Sequence, residues 1–315
     1  MTDKNDFNRI VFEHNGALGD MLMAWPAALS LFSHFRDIPH FFRTRPGHAT
    51  FFAALGAAAC PPEAGHALDA LYGTGRWPPA LAKTLVVRPG LVRRPDVPDD
   101  PRFLFLPGVV PGRDEPPRVL YREALAARGI PWVDGWPAAF RDRFGGRPAT
   151  AFPGSPGRPT VLVFPGAGHV KKTWPMAHFL GVAEMLAQTG AEPVFVLGPA
   201  EVERGTGSGP WPRLVPGNLM ELMAALGTAR AVLGADCGPM HLAGLMGIPG
   251  VSVFGPTSPR QWGPVGMAVV RADMPCGPCV QVTSGDFAPG CPVPPPCLTG
   301  VGAGQAFAAL ARVMA

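Results

Sequence analysis

The residues best suited to bind a ligand lie in loops that follow short apolar runs. In the loop after Phe164, the small residues Gly166 and Gly168 precede Lys171 and Lys172. Small residues let the backbone approach a ligand closely, and lysines beside a helix start suit a phosphate group. This loop therefore indicates a phosphate site, and an ordinary loop with solvated lysines is the alternative.

Two further loops add carboxylates and a histidine. Glu201 follows an apolar run. A carboxylate at this place can accept hydrogen bonds from a ribose diol. A solvated glutamate at the start of a helix is the alternative. Asp236 can cap the helix after the next run, whose exposed amides can receive a pyrophosphate. His241 lies one turn into that helix. The alternative is a core helix that Asp236 caps and in which His241 is only a buried histidine. This alternative accounts well for an aspartate at position 236 and poorly for a histidine at position 241.

An aspartate near the N-terminus also lies in a loop after an apolar run. Asp20 ends a Gly-rich turn that follows the apolar run 9–13 and precedes a helical pattern at about 21–35. A carboxylate at a strand end can face a bound ligand. The alternative is that Asp20 is only the N-cap of the first helix.

Four of the six cysteines form a Cys-x2-Cys-x11-Cys-x5-Cys array near the C-terminus: Cys276, Cys279, Cys291 and Cys297. The first pair is a good chelate, and four thiolates suit a structural zinc or iron ion. Four reduced thiols in a Pro-rich loop are the alternative. A metal held by four thiolates would be structural, because no coordination position stays open for substrate.

The strands and helices that must hold these loops alternate regularly in the second half of the sequence. The predicted strands are 160–164, 193–197, 231–234 and 251–254, and the predicted helices are 176–188, 218–226 and 240–246. Buried strands alternating with amphipathic helices predict a parallel sheet that binds ligands at the carboxyl ends of its strands. The first half opens as an α/β unit, and further elements are predicted at 84–87, 104–106 and 118–128. A Gly/Pro-rich linker is expected at 145–159.

Length and composition limit the class of protein. A chain of 315 residues has room for two domains, and 47% apolar against 16% charged residues argues against disorder. The net charge of +4 comes without a Lys/Arg stripe, so no nucleic-acid partner is expected. No signal peptide is visible, and no apolar run reaches the ~18 residues of a bilayer span. The cysteines are typical of cytosolic thiols. We therefore expect a cytoplasmic protein with at most peripheral inner-membrane association.

Taken in order, the motifs resemble those of glycosyltransferase family 9, the ADP-heptose:lipopolysaccharide heptosyltransferases. The matching elements are Gly19-Asp20 with Pro26-Ala27, Pro165-Gly166 leading to Lys172-Thr173-Trp174-Pro175, Gly198 to Glu201, Asp236 to Ala243, and Phe254 to Pro259. Order and spacing match from Val11 to about Cys297, although residues 36–145 contribute almost nothing.

The resemblance implies an α/β protein of GT-B architecture, with two Rossmann-like doubly wound domains facing a cleft. Residues 1–150 would form the acceptor domain, with Asp20 as general base. Residues 151–315 would form the donor domain, with a Cys-rich loop near the C-terminus and a final helix at about 305–314. The donor-binding residues would be Gly166, Lys172, Glu201, Asp236, Cys237, Gly238 and His241. Cys237 departs from the family's usual Ser or Thr, and a thiol is a weaker hydrogen-bond donor than a hydroxyl.

The implied reaction is an inverting transfer of a heptose from a nucleotide-diphosphate sugar, ADP-heptose, to a glycan or lipid-linked glycan such as lipopolysaccharide core. No cofactor is expected for catalysis, because fixed cations and helix N-termini can stabilise the leaving diphosphate. Two alternatives stay open at this point. One is an inactive nucleotide-sugar-binding or assembly protein of the same fold, and the other is a sugar-nucleotide epimerase.

Overall fold

A computed structural model of the chain describes residues 6–146, 157–279 and 290–315. The chain divides into two compact units, Met1–Trp136 and Pro137–Ala315. The predicted domain boundary at 150/151 and most of the predicted linker fall between residues 147 and 156, outside the described residues.

The first unit contains a five-stranded parallel sheet in the order β3-β2-β1-β4-β5. Its strands are β1 (Arg9–His14), β2 (His40–Thr44), β3 (Ala58–Ala59), β4 (Thr84–Gly90) and β5 (Phe103–Pro107). Consecutive residues of β1, Ile10, Val11 and Phe12, are fully buried, so helices cover both faces of the sheet. The strands predicted at 9–13, 84–87 and 104–106 are confirmed, whereas β2 and β3 were not predicted.

Helices α1 to α4 of the first unit cover this sheet. They are α1 (Leu18–His34), α2 (Ala49–Ala53), α3 (Pro62–Thr74) and α4 (Pro117–Ala126), and α5 (Trp136–Phe144) crosses the unit boundary. Helix α1 begins three residues before its predicted start and runs through Pro26, whose carbonyl accepts the Ser30 hydroxyl at 2.8 Å. Leu68 and Tyr72 of α3 pack against Val11 of β1 in one apolar cluster.

The second unit contains a six-stranded parallel sheet in the order β11-β10-β9-β6-β7-β8. Its strands are β6 (Thr160–Phe164), β7 (Glu192–Val196), β8 (Arg213–Leu214), β9 (Ala231–Ala235), β10 (Gly250–Phe254) and β11 (Ala268–Arg271). Its helices are α6 (Met176–Gln188), α7 (Pro199–Glu203), α8 (Leu219–Thr228), α9 (Gly238–Met246), α10 (Pro259–Trp262), α11 (Pro296–Thr299) and α12 (Ala303–Met314). Every predicted strand and helix of this half is confirmed to within two residues at each end.

In each sheet, the strand order reverses at one place. In the first sheet the chain runs outward from β1 to β3 and returns to place β4 on the other side of β1. In the second it runs outward from β6 to β8 and returns to place β9 on the other side of β6. Loops diverge at such a reversal and leave a crevice at the carboxyl ends of the two central strands, where open α/β sheets bind ligands. Each unit therefore has its own crevice.

The C-terminal helix belongs to the core of the second unit. Ala306 and Leu310 of α12 are fully buried in the same cluster as Phe179 of α6. The Trp174 indole N–H donates to the Val301 carbonyl at 2.9 Å and ties the loop after β6 to the start of this helix. Across the described ranges, no helix combines the length and the apolar character that crossing a membrane requires.

Candidate functional site

The crevice of the second sheet holds a buried ion pair. Lys172 Nζ lies 2.6 Å from Asp236 Oδ2, and the two side chains are only 19% and 6% exposed. Asp236 Oδ2 also accepts the Thr257 hydroxyl at 2.8 Å. The three residues follow β6, β9 and β10, which are neighbours in the sheet. The ammonium group is therefore held in place at the strand ends, and its two remaining N–H groups are available to a ligand.

The helix cap predicted for Asp236 is wrong. Helix α9 begins at Gly238, and Cys237 occupies the N-cap position. The Asp236 carboxylate is used instead by the ammonium group and the hydroxyl described above.

Glu201 lies directly over Gly166. Glu201 Oε2 accepts the Gly198 N–H at 3.0 Å at the start of α7. A Cβ placed on Gly166 would lie 2.2 Å from Glu201 Oε1, so a larger residue at position 166 would force the Glu201 carboxylate to move. The structure thus brings together the loops after β6 and β7, and the glycine leaves room for the carboxylate.

Cys237 and His241 are held at the start of α9. Burial, reinforced by the charge of Asp236, raises the pKa of the Cys237 thiol to about 12. This thiol therefore stays neutral at working pH and is unsuited to act as a nucleophile. His241 is 6% exposed and lies one turn into the helix.

Asp20 lies in the first turn of α1 but does not cap it. Ala17 occupies the N-cap position, and its N–H donates to Asp20 Oδ2 at 3.3 Å. The alternative that Asp20 is the N-cap is therefore wrong, although its carboxylate does bond back to the start of the helix. Burial, followed by the charge of Asp20, raises the pKa of Tyr121. The catalytic role of Asp20 stays a prediction.

Two of the four C-terminal cysteines, Cys279 and Cys297, have thiols of raised pKa. Burial, and then the charges of Cys291 and Cys276, raises the pKa of Cys279. Burial, and then the charge of Cys279, raises the pKa of Cys297. However, across residues 6–146, 157–279 and 290–315 no three His, Cys, Asp or Glu side chains gather closely enough to hold a metal ion. The predicted metal site stays a prediction.

Sequence reasoning assigned no role to Thr257. The residue belongs to the Phe254–Pro259 motif, and its hydroxyl fixes the Asp236 carboxylate. The sequence does show a hydroxyl residue in the loop after the buried strand β10. That position indicates a role for Thr257 only when Asp236 is known to lie beside it.

Similarity to solved structures defines the class of fold. The chain superposes on E. coli ADP-heptose lps heptosyltransferase II with a TM-score of 0.64 and 15% sequence identity, covering 97% of this chain and 98% of that chain. It also resembles TibC, a dodecameric iron-containing heptosyltransferase of enterotoxigenic E. coli solved with ADP-D-beta-D-heptose. There the TM-score is 0.65 at 15% identity, covering 98% of this chain and 78% of that chain. The fold is GT-B, as predicted.

Sequence similarity to one glycosyltransferase family covers a little under half of the chain. Residues 138–285 match the model of glycosyltransferase family 9 (heptosyltransferase), which confirms the resemblance seen in the motifs. Lipopolysaccharide heptosyltransferase 1 of Pseudomonas aeruginosa is 31% identical over 138 residues. That alignment covers 41% of this chain and spans 38% of the curated relative's length. The stretch 138–285, which matches the family model, includes the ion pair, Gly166 and Glu201.

Proposed function

We propose that the chain is an inverting glycosyltransferase that transfers a heptose from ADP-heptose to a bacterial glycan such as lipopolysaccharide core. The observation that carries this proposal is the Lys172–Asp236 ion pair in the crevice of the second sheet. A cation fixed at this position suits a diphosphate, and the crevice lies within the region that matches family 9. The names of the similar proteins support the heptose donor and the lipopolysaccharide acceptor.

In this proposal the second unit binds the donor. Asp236 holds the Lys172 ammonium in place, so little reorganisation is needed when negative charge grows on the leaving diphosphate. Glu201, fixed above Gly166, accepts hydrogen bonds from the ribose hydroxyls. The start of α9, with Gly238 and His241, borders the same crevice.

In the same proposal the first unit activates the acceptor. The Asp20 carboxylate takes the proton from the acceptor hydroxyl as that oxygen attacks the anomeric carbon. The bond to the diphosphate breaks on the opposite face of the sugar, so the configuration inverts. The proposed donor and acceptor place the reaction in the cytoplasm, with at most peripheral contact with the inner membrane.

We also propose that Cys276, Cys279, Cys291 and Cys297 hold a structural zinc or iron ion. The Cys-x2-Cys spacing of the first pair and the iron-containing structural neighbour TibC support this proposal, and the thiols would have to move closer together to bind one ion. The transfer itself would use no metal, because Lys172 supplies the positive charge at the diphosphate.

The proposal is tested by thermal shift with ADP, UDP, GDP and CMP. We expect ADP at a hundredfold excess over Kd to stabilise the protein by about 2.7 kcal/mol, with smaller effects from the other nucleotides. Lys172→Ala should weaken ADP binding by roughly 1.5–3 kcal/mol, because it removes a charge-assisted contact. Lys83→Ala, at an exposed lysine of the first unit, is the matched control and should bind ADP normally.

The outcomes separate the proposal from the two alternatives. If no nucleotide raises the melting temperature, the donor site is refuted. ADP binding without transfer to any glycan would favour an inactive binding protein. Conversion of the sugar nucleotide in the absence of an acceptor would favour an epimerase.

A further inference from the structure

Three buried nitrogen atoms of the first unit find no hydrogen-bond partner among the described residues. They are Nδ1 of His14, Nδ1 of His48 and Nη1 of Arg88. His14 is only 5% exposed. A buried polar group without a partner costs about 1–3 kcal/mol, and native proteins contain few of them. Three such atoms in one unit indicate a ligand that supplies the acceptor oxygens.

The residues that carry these atoms meet at the crevice of the first sheet. His14 ends β1, and Arg88 lies in the neighbouring strand β4, next to the position paired with Phe12. These two strands flank the place where the strand order reverses. The crevice is therefore lined by a histidine from one central strand and an arginine from the other.

The loop after β2 completes this lining. His48 ends the short 3-10 turn Pro46–His48. The Thr44 hydroxyl donates to the His14 carbonyl at 2.7 Å, and Arg45 Nε donates to the Asn15 carbonyl at 2.9 Å. These two bonds fix the loop beside the end of β1.

Arg45 and Arg88 bring positive charge to the lining, whereas His14 itself stays neutral. Burial, and then the charges of His48, Arg88 and Arg45, lowers the pKa of His14 to about 4. The nearby Glu13 carboxylate is already engaged, because it accepts the Tyr72 hydroxyl and lies 3.5 Å from Arg43. Positive charge is thus left in excess around the three nitrogen atoms.

The crevice also adjoins the proposed base. A Cβ placed on Gly16 would lie 2.7 Å from His14 Cε1 and 3.2 Å from Asp20 Oδ2. The histidine and the carboxylate therefore border the same glycine. A group bound at His14 would lie close to the substrate hydroxyl that Asp20 is proposed to deprotonate.

We infer that His14, His48, Arg45 and Arg88 form a binding site for an oxyanion, a phosphate or a carboxylate. Such a group offers acceptor oxygens, which match two imidazole nitrogens and the forked guanidinium of Arg88 better than neutral sugar hydroxyls do. The role of this site rests on the proposed function. The site takes an anionic substituent of the acceptor and places the neighbouring hydroxyl at Asp20. Free phosphate shares this chemistry and is the other source that the test must distinguish.

The site is tested on the full chain with inorganic phosphate, read from the imidazole Cε1–H signals in NMR spectra. Phosphate should shift the His14 and His48 signals saturably and leave that of the exposed His66 unchanged. Arg88→Gln should weaken phosphate binding at these signals by tenfold or more, about 1.4 kcal/mol. Arg36→Gln, at an arginine that is 82% exposed, is the matched control and should titrate like the natural protein.

Two results would overturn the oxyanion site. One is the absence of any saturable shift at His14 and His48. The other is an unchanged phosphate titration in both Arg88→Gln and His14→Gln, where the second variant covers the case in which the first fails to fold. Circular dichroism confirms that each variant is folded before it is titrated.

A competition experiment identifies the source of the anion. A glycan that carries a phosphate or carboxylate should displace inorganic phosphate from the site, and the same glycan without that group should not. Displacement by neither, or equally by both, would overturn the assignment to the acceptor. ADP binding is measured in parallel, so a chain that binds phosphate at His14 but no ADP would refute the proposed function and leave the oxyanion site intact.

Discussion

Replacing Asp20 with asparagine separates catalysis from structure. Asparagine keeps the size of the side chain and an oxygen that can accept the Ala17 N–H, but it cannot take a proton at neutral pH. The bond to Ala17 is long, at 3.3 Å, so its contribution to stability is small. Losing the negative charge at the start of α1 costs about 0.3–1 kcal/mol, which amounts to a shift of a few degrees in Tm.

Turnover should fall far more than stability. Loss of a general base lowers kcat by on the order of 10²–10⁴, while ADP affinity should stay close to that of the natural protein. The assay is ADP release with donor and acceptor at saturation, paired with calorimetric titration of ADP. Asp37→Asn is the matched control, since this aspartate is 82% exposed beyond the end of α1. Full activity in Asp20→Asn, or a loss of ADP binding as large as the loss of turnover, would refute the assignment.

Three further predictions concern the glycine, the buried histidine and the cysteines. Gly166→Ala should displace Glu201 and weaken ADP binding about tenfold, whereas Gly207→Ala, with open space around it, should have no effect on calorimetric ADP titrations. Because the pKa of His14 is lowered to about 4, the unfolded chain binds an extra proton between pH 6.5 and 4. Stability should therefore be fully present above pH 6.5 and fall by about 3 kcal/mol toward pH 4, and His14→Gln should lack this loss in urea titrations. Elemental analysis should find about one zinc or iron per chain; well under one, with four titratable thiols near the C-terminus, would contradict the metal site.

The second half of the fold could be predicted because its strands are buried on both faces. Strands such as β6 and β9 appear as uninterrupted apolar runs, and amphipathic helices separate them. The first half gave weaker signals. β2 has polar residues at both ends, and the two alanines of β3 form no pattern. α3 was missed because Pro62 reads as a helix breaker, although proline is well suited to the first position of a helix.

The candidate site could be predicted residue by residue but not as a set of contacts. Lys172, Glu201 and Asp236 were each identified from their places after buried strands. The ion pair joins residues far apart in sequence, so it depends on strand order, which the apolar pattern does not specify. The same limit hid the oxyanion site, because nothing local to His14 or Arg88 indicates that β1 and β4 are neighbours.

The outer strands on one side of each sheet have a consequence for solubility. β3 and β8 are only two residues long, and each pairs with its neighbour through two residues. An edge this short presents too few free backbone groups to template the addition of a strand from another molecule. At the opposite side, β5 ends in Pro107, which lacks an N–H to offer. We therefore expect the chain to resist edge-to-edge aggregation at high concentration, and β11 is the edge at which a destabilised variant would begin to associate.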